Sequence, residues 1–187
     1  GFRTVIVIPE TQSEEKKEMI RLAGAELVEV PAVPYKNPNN YVRYSGRLAK
    51  KLAKVEPNGA IWANQFDNVA NRQAHLETTG PEIWEQTKGK ITHLISGIGT
   101  SGTVMGTGRY LKSMDKEIKI VGVQPDEPLH GLEGLKHIPS SIVPGIYNEQ
   151  ELDILYNANT EESYIIMEKL MQLEGMFVGH SGGAVVL

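Results

Sequence analysis

The chain has 187 residues, of which 40% are hydrophobic and 22% charged, so it is long enough to bury a sizeable core within one domain or parts of two. Its 19 Lys and Arg residues face 23 Asp and Glu residues without a basic run, so we expect neither nucleic acid nor an anionic membrane surface as a partner. The absence of cysteine excludes disulfides and a thiol nucleophile. No apolar run approaches the roughly 20 residues of a membrane span. We expect a cytoplasmic location.

In the first third of the chain, short β-rich runs alternate with helix-length amphipathic segments, a pattern typical of βαβ units around a parallel sheet. Strands are predicted at residues 4–8, 26–30 and 60–63. A first helix is capped by Thr11 or Ser13 and closes at Gly24, and a second helix spans about residues 41–54. The sequence therefore predicts an α/β fold.

The same alternation continues through the rest of the chain. A polar loop covers residues 64–71, and Gly80, Pro81 and Glu82 open a helix. Strands are predicted at 91–95 and 118–123, and helices at 103–113 and 161–174, the last capped by Thr160. A Pro- and Gly-rich excursion fills residues 125–145, and residues 176–178 lead into a second glycine turn at 179–183. A parallel sheet is therefore expected here as well.

The segment most indicative of function is a glycine- and hydroxyl-rich loop, with the sequence SGIGTSGTVMG at residues 96–106, between a predicted strand and a predicted helix. Backbone N–H groups at a helix N-terminus, together with hydroxyl groups, form a binding site for anions. Thr100, Ser101 and Thr103 supply hydroxyl donors that a pure glycine loop lacks. The loop therefore predicts a phosphate site.

The same loop also matches the dinucleotide fingerprint, with Gly97, Gly99 and Gly102 at the required spacing. That fingerprint needs an acidic residue about 20 residues further on, at the end of the next strand. Here Asp126 lies just beyond the predicted end of the strand, so the match is partial. A phosphate monoester, a pyrophosphate and a purely structural turn all remain alternatives for this loop when it is considered alone.

Several segments occur in the order and spacing of one enzyme family. They are Pro9-Glu10-Thr11, residues 24–28, Gln65-Phe66-Asp67-Asn68, residues 78–84 (TTGPEIW), the glycine loop and residues 175–184. On these motifs the chain resembles the O-acetylserine sulfhydrylase and cystathionine β-synthase family of fold-type II pyridoxal-phosphate enzymes over nearly its whole length. The resemblance implies three-layer α/β domains with parallel sheets, of the tryptophan synthase β-like type. Residues 1–64 would be part of a smaller, mobile N-terminal domain, and residues 65–187 of the C-terminal domain that binds the cofactor phosphate.

The resemblance also implies roles for individual residues. Ser181 matches the serine that hydrogen-bonds the pyridine nitrogen, and a role as a helix N-cap, which can coexist with the first, is the alternative. Gln65 matches a glutamine that faces the substrate carboxylate. His130 and His137 flank a loop that lines the active-site mouth in this family, but we expect both at the surface. The role of His180 stays open between tuning the cofactor ring and filling space. The residues that match the phosphate-binding loop are Gly99, Thr100, Ser101, Gly102 and Thr103.

The activity implied by the resemblance is cysteine synthesis with pyridoxal 5'-phosphate, in which sulfide or another sulfur donor replaces the acetoxy group of O-acetylserine. A homodimer and docking of a serine acetyltransferase C-terminal peptide are implied partners. The alternatives are a serine/threonine dehydratase-like or cystathionine β-synthase-like lyase, a non-catalytic partner-binding homologue and a nicotinamide-binding protein. The TTGPEIW block argues against the dehydratase.

The chain also departs from the family pattern. The family's Schiff-base lysine and its Ser-Gly-Asn-Thr-Gly substrate loop match no segment of this sequence. We therefore expect the chain to be an excerpt, incomplete at both ends, that is inactive by itself.

Overall fold

Two separately packed units make up the chain in the computed structural model, which describes residues 2–187; the first unit ends at Asn64 and the second begins at Gln65. The first unit contains β1 (Val5–Pro9), α1 (Glu14–Leu22), β2 (Glu26–Val30) and α2 (Tyr41–Val55). Strands β1 and β2 pair in parallel. This pairing confirms the βα alternation predicted for the first third of the chain.

Local hydrogen bonds explain where the two helices of the first unit begin. Ser13 caps α1, because its side chain accepts a hydrogen bond from the backbone N–H of Lys16. Asn40 caps α2 in the same way through the N–H of Val42, and its side-chain amide also donates to the carbonyl of Val33 at 2.9 Å. Of the two caps considered for α1, the structure thus selects Ser13.

The strand predicted at residues 60–63 is wrong, because that segment has no regular secondary structure and takes no part in the sheets described for residues 2–187. The indole of Trp62 instead lies on α2, where its Nε1–H donates to the hydroxyl of Ser45 at 3.1 Å. Ile61 is almost fully exposed. A short apolar run forms a strand only where a neighbouring strand accepts its backbone hydrogen bonds.

The second unit is a three-stranded parallel sheet with helices around it. Its strands, in the order β3-β4-β5 across the sheet, are β3 (His93–Gly97), β4 (Lys119–Pro125) and β5 (Ile154–Ala158). Helix α5 (Gly102–Met114) connects β3 to β4, and its buried face packs on the sheet through the fully buried residues Val104, Leu111 and Ile120. The parallel sheets of both units confirm the expected α/β fold.

A helical segment with a widened turn precedes β3 in the second unit. It consists of α3 (Val69–Ala74), a π-helical turn (His75–Thr79) and α4 (Gly80–Gln86). The sequence predicted a polar loop as far as residue 71 and a helix that opens at Gly80. The predicted start of the helix is wrong, because the helical segment already begins after Asn68, which caps it. The π turn ends two residues before Pro81, which lacks the N–H that a regular helix would require there.

The structure adds one strand and revises one cap near the end of the chain. Strand β5 was not predicted, because most of its residues are exposed and it lies at the sheet edge without apolar alternation. Asn159, rather than Thr160, caps α6 (Thr160–Glu174), since its side-chain oxygen accepts from the N–H groups of Glu161 and Glu162. Helix α7 (His180–Val186) follows and packs against α6 and β3.

None of the helices formed by residues 2–187 combines the length and apolarity that crossing a bilayer requires.

Candidate functional site

The glycine loop joins the carboxyl end of β3 to the first turn of α5, as the sequence predicts. Ser101 occupies the N-cap position in the left-handed conformation, with φ of 67°, and makes no side-chain capping bond. It is 2% exposed, and its hydroxyl oxygen has no hydrogen-bond partner among residues 2–187. Buried hydroxyl groups in native proteins nearly always have a partner, so the Ser101 hydroxyl is a candidate to bind a polar atom from outside the chain.

Thr100 is held from two sides. Its hydroxyl oxygen lies 3.0 Å from Asn71 Nδ2, which also donates to the carbonyl of Gln65 at 2.7 Å, and it accepts the N–H of Gly102 at 3.2 Å. Because the oxygen accepts two hydrogen bonds, its own hydrogen is left to donate to a ligand. A Cβ added to Gly102 would overlap Asn71 Oδ1, so only glycine fits beside this asparagine.

Thr103 is supported by a histidine that sequence analysis did not identify. Thr103 Oγ1 lies 3.2 Å from His75 Nε2, and His75 Nδ1 lies 3.0 Å from Thr79 Oγ1. His75 and Thr79 span the π turn, which therefore faces the first turn of α5. The spacing of a histidine and a hydroxyl residue by four positions is the only sequence signal that pointed to this pair.

The loop that follows β4 lies on the glycine loop. The N–H of Lys136 donates to the carbonyl of Ile98 at 2.8 Å, and a Cβ added to Gly99 would lie 2.7 Å from the carbonyl oxygen of Gly134. The Lys136 ammonium lies 4.6 Å from the centre of the Phe66 ring, and burial lowers the pKa of this amine. Lys136 forms none of the ion pairs found for residues 2–187, and the sequence did not single it out.

The structure brings some of the other predicted site residues towards the glycine loop. Gln65 has an exposed side chain, and its carbonyl shares Asn71 with Thr100. Ser181 is the second residue of α7, whose Ala184 packs in one apolar cluster with Val123 at the end of β4. Gly179 occupies the N-cap of α7, so the alternative role of Ser181 as that cap is wrong.

The histidines near the site have different surroundings. The ring of His180 is exposed on one side and stacks on Tyr164, with 4.6 Å between ring centres. His137 Nδ1 lies 2.7 Å from Ser140 Oγ. Both His130 and His137 are half-buried rather than fully at the surface, and burial, followed by the positive charge of nearby His137, lowers the pKa of His130. His130 Nδ1 is buried without a partner among residues 2–187.

Comparison with known proteins assigns the chain to a family. The model of the family described as "Pyridoxal-phosphate dependent enzyme" matches residues 1–187. The chain is 42% identical over 186 residues to a cysteine synthase of Aquifex aeolicus, covering 100% of this chain and 55% of that protein. It is 36% identical over 186 residues to cysteine synthase B of Pseudomonas aeruginosa, covering 100% of this chain and 59% of that protein.

Solved structures agree with these relatives. A cysteine synthase from Entamoeba histolytica superposes with a TM-score of 0.84 at 30% identity, covering 100% of this chain and 55% of that one. An O-ureido-L-serine synthase gives a TM-score of 0.84 at 31% identity, with 100% and 58% covered. The resemblance to fold-type II enzymes is thereby confirmed. The chain spans about half the length of the curated relatives that it matches.

The residues of the glycine loop fit the phosphate of the family's cofactor. The unpartnered hydroxyl of Ser101, the fixed hydroxyl of Thr100 and the first turn of α5 all supply donors, as a phosphate monoester requires. The family match favours this group over the pyrophosphate of a dinucleotide. On the matched family model, the full-length identity to cysteine synthases and the fit of this loop, the chain belongs to the pyridoxal-phosphate dependent enzyme family.

Proposed function

We propose that the intact protein is a pyridoxal-phosphate-dependent cysteine synthase. In this reaction O-acetyl-L-serine and hydrosulfide give L-cysteine and acetate, so the C–O bond at the β-carbon breaks and a C–S bond forms there. The relatives named as cysteine synthases support the proposal, since their identities of 34–42% extend over the whole of this chain. The observation that carries it is the buried, unpartnered hydroxyl of Ser101 at the N-terminus of α5.

The bound cofactor would withdraw electrons from the α-carbon of the amino acid, which makes loss of the β-substituent feasible. Within this chain, Thr100, Ser101 and Thr103 would donate hydroxyl hydrogen bonds to the phosphate, while Gly99 and Gly102 let the backbone approach it. The hydroxyl of Ser181 would hydrogen-bond the pyridine nitrogen, and Gln65 would face the substrate carboxylate. A neutral hydroxyl at the ring nitrogen favours β-elimination over transamination.

The organisation of the whole enzyme is part of the same proposal. Residues 1–64 would belong to a smaller, mobile domain, and residues 65–187 to the domain that holds the phosphate. We infer a cytoplasmic homodimer whose cleft also admits the C-terminal peptide of a serine acetyltransferase. The family motifs quoted above support these inferences.

A second candidate differs only in the group that attacks the β-carbon. One structural neighbour is named O-ureido-L-serine synthase, so a nucleophile other than sulfide is compatible with this fold. Competition between sulfide and other nucleophiles at equal concentration separates the two candidates, because the preferred nucleophile appears in the amino-acid product.

The test uses the full-length protein with pyridoxal phosphate added. We expect a visible cofactor absorbance band, a change of that band when O-acetylserine is added, and stoichiometric formation of cysteine and acetate after sulfide is supplied. Cofactor binding without any cysteine would overturn the proposed reaction while leaving the family assignment intact. Failure to bind the cofactor would favour the non-catalytic, partner-binding alternative.

A further inference from the structure

The segment Gly131–Lys136, here called the bridging loop, is fastened to the rest of the second unit at both ends. At its far end, the N–H of Lys136 donates to the carbonyl of Ile98 in the glycine loop at 2.8 Å. At its near end, Gly131 is bound by two side chains of α6. The hydroxyl of Tyr164 donates to the Gly131 carbonyl at 3.0 Å, and Thr160 Oγ1 accepts the Gly131 N–H at 3.3 Å.

The attachment at Gly131 leaves little room for a side chain at this position. A Cβ added to Gly131 would overlap the hydroxyl oxygen of Tyr164 and would lie 3.1 Å from Thr160 Cγ2. The next residue, Leu132, is fully buried in a cluster with Val123, Ala158 and Ala184, against which Tyr164 also packs. The near end of the bridging loop is therefore positioned by α6.

Tyr164 also contacts the second glycine turn. Its ring contacts the ring of His180 in a tilted arrangement, with 4.6 Å between ring centres and an interplanar angle of 44°. His180 is the first residue of α7 and directly precedes Ser181. One side chain of α6 thus contacts both the loop that lies on the glycine loop and the turn that begins α7.

The middle of the bridging loop contacts the glycine loop at Gly99. The carbonyl oxygen of Gly134 would lie 2.7 Å from a Cβ at Gly99, so the two backbones are in direct contact. A shift of the bridging loop would therefore alter the positions of the donors at residues 99–101.

We propose that Tyr164 is a positioning residue for the phosphate site: its hydroxyl holds the bridging loop against the glycine loop, while its ring holds the start of α7. The inference rests on the proposed function only in taking pyridoxal phosphate as the ligand of the glycine loop. It also assigns a role to His180, whose ring supports Tyr164 from the α7 side.

The test compares Tyr164→Phe with the wild type in the full-length protein, using Tyr156→Phe as the matched control. Tyr156 lies on β5, is 41% exposed and contributes no hydroxyl hydrogen bond to the structure of residues 2–187. We expect Tyr164→Phe to raise the dissociation constant for pyridoxal phosphate by up to about 5-fold, the limit reached if the whole worth of one neutral hydrogen bond is transmitted to the site, with no change in the control. Backbone amide exchange at residues 131–136 should also become faster in Tyr164→Phe alone.

A second variant guards against a general folding defect. Thr160→Val removes only the acceptor of the Gly131 N–H and should weaken cofactor binding in the same direction. A lower melting temperature with unchanged cofactor affinity and unchanged exchange in both variants would overturn the inference, because Tyr164 would then be merely structural. Cofactor affinity is measured without turnover. A wild type that binds the cofactor but makes no cysteine would therefore refute the proposed reaction, while the comparison of cofactor affinity between the variants and the wild type would stay valid.

Discussion

Ser101 and Thr100 are neighbours in the glycine loop, but their hydroxyl groups have opposite surroundings. Thr100 is anchored by Asn71 and by the N–H of Gly102, whereas Ser101 is buried with no partner among residues 2–187. A buried polar group without a partner destabilises the protein until a ligand satisfies it. At the scale of single residues, Ser101 is therefore the side chain whose removal distinguishes a ligand site from a structural turn.

Changing Ser101 to Ala should have opposite effects on stability and on binding. Without ligand the variant should be at least as stable as the wild type, because it loses an unsatisfied hydroxyl. Its dissociation constant for pyridoxal phosphate should rise about 10-fold or more, the usual effect of a lost hydrogen bond to a charged group. Cofactor titration and thermal unfolding of the full-length protein measure the two effects.

Ser113→Ala is the matched control for this prediction. Ser113 lies at the other end of α5, where its hydroxyl donates to the carbonyl of Tyr110 at 2.6 Å. Its substitution should leave cofactor affinity unchanged. Equal affinity of Ser101→Ala and wild type would show that the glycine loop does not hold the phosphate through this hydroxyl.

At the scale of elements, the site is built from the ends of helices rather than from their middles. The glycine loop begins α5, and His180 and Ser181 begin α7. Helix α6 supports both regions through Thr160 and Tyr164, and it ends at Gly175, which has φ of 66°. The length and the end of α6 therefore determine where the chain enters the second glycine turn.

Gly175 provides a test of this helix end. A Cβ at Gly175 would meet no atom within 4 Å, so any loss on substitution comes from the left-handed backbone alone. We expect Gly175→Ala to lower the free energy of unfolding by roughly 1 kcal/mol. Gly175→Asn should lower it less, since asparagine tolerates this conformation.

Urea unfolding of the full-length protein measures both changes. Equal losses for alanine and asparagine would contradict the backbone explanation. They would indicate instead that the cost does not depend on how well the new residue tolerates the left-handed conformation.

At the scale of the whole molecule, each unit has its own sheet, and ion pairs connect elements within the second unit. Arg109 of α5 binds both carboxylate oxygens of Glu151 at 2.7 Å. Asp153 accepts from Lys112 and from the N–H of Ile120 at 2.8 Å. These contacts fasten the segment before β5 to α5 and to β4, although sequence patterns gave no sign of β5.

These carboxylates predict how stability depends on pH. The hydrogen bond from Arg109 holds the pKa of Glu151 below its ordinary value of 4.5, and the hydrogen bond from Lys112 lowers that of Asp153 below 3.8. A carboxylate whose pKa is lower in the folded state than in the unfolded state stabilises the protein at pH values above its unfolded-state pKa. The free energy of unfolding should therefore decrease as the pH falls through about 5 and below.

Glu151→Gln should flatten part of this pH dependence. The amide keeps the shape of the side chain but does not titrate. The free energy of unfolding should therefore decrease less between neutral and acidic pH than in the wild type. Urea unfolding at a series of pH values measures the slope, and Glu161→Gln, at an exposed position in the first turn of α6, is the control. An unchanged slope in Glu151→Gln would exclude this ion pair as its source.

Much of the fold could be predicted from the sequence, because it depends on short-range patterns. The strands β1 to β4 follow apolar runs, α2 and α6 follow amphipathic periods, and the glycine loop lies between a strand and a helix as expected. The errors have tertiary causes. Residues 60–63 have no neighbouring strand in the sheets described for residues 2–187. Strand β5 gains its strand character only from pairing with β4. Pro81 is tolerated in a helix through the π turn.

By itself, the sequence determined the α/β fold and the family, since residue type and local spacing decide these. Binding of a phosphate by the glycine loop stays a prediction. The roles of Ser181 and Gln65 towards the ligand stay predictions. Only the tertiary structure decided which hydroxyl of the loop is unpartnered, that Asn71 and His75 contact Thr100 and Thr103, and that Tyr164 binds Gly131 of the bridging loop. These partners lie about 30 residues away along the chain, and only the packing of α3, α5 and α6 around the sheet brings them together.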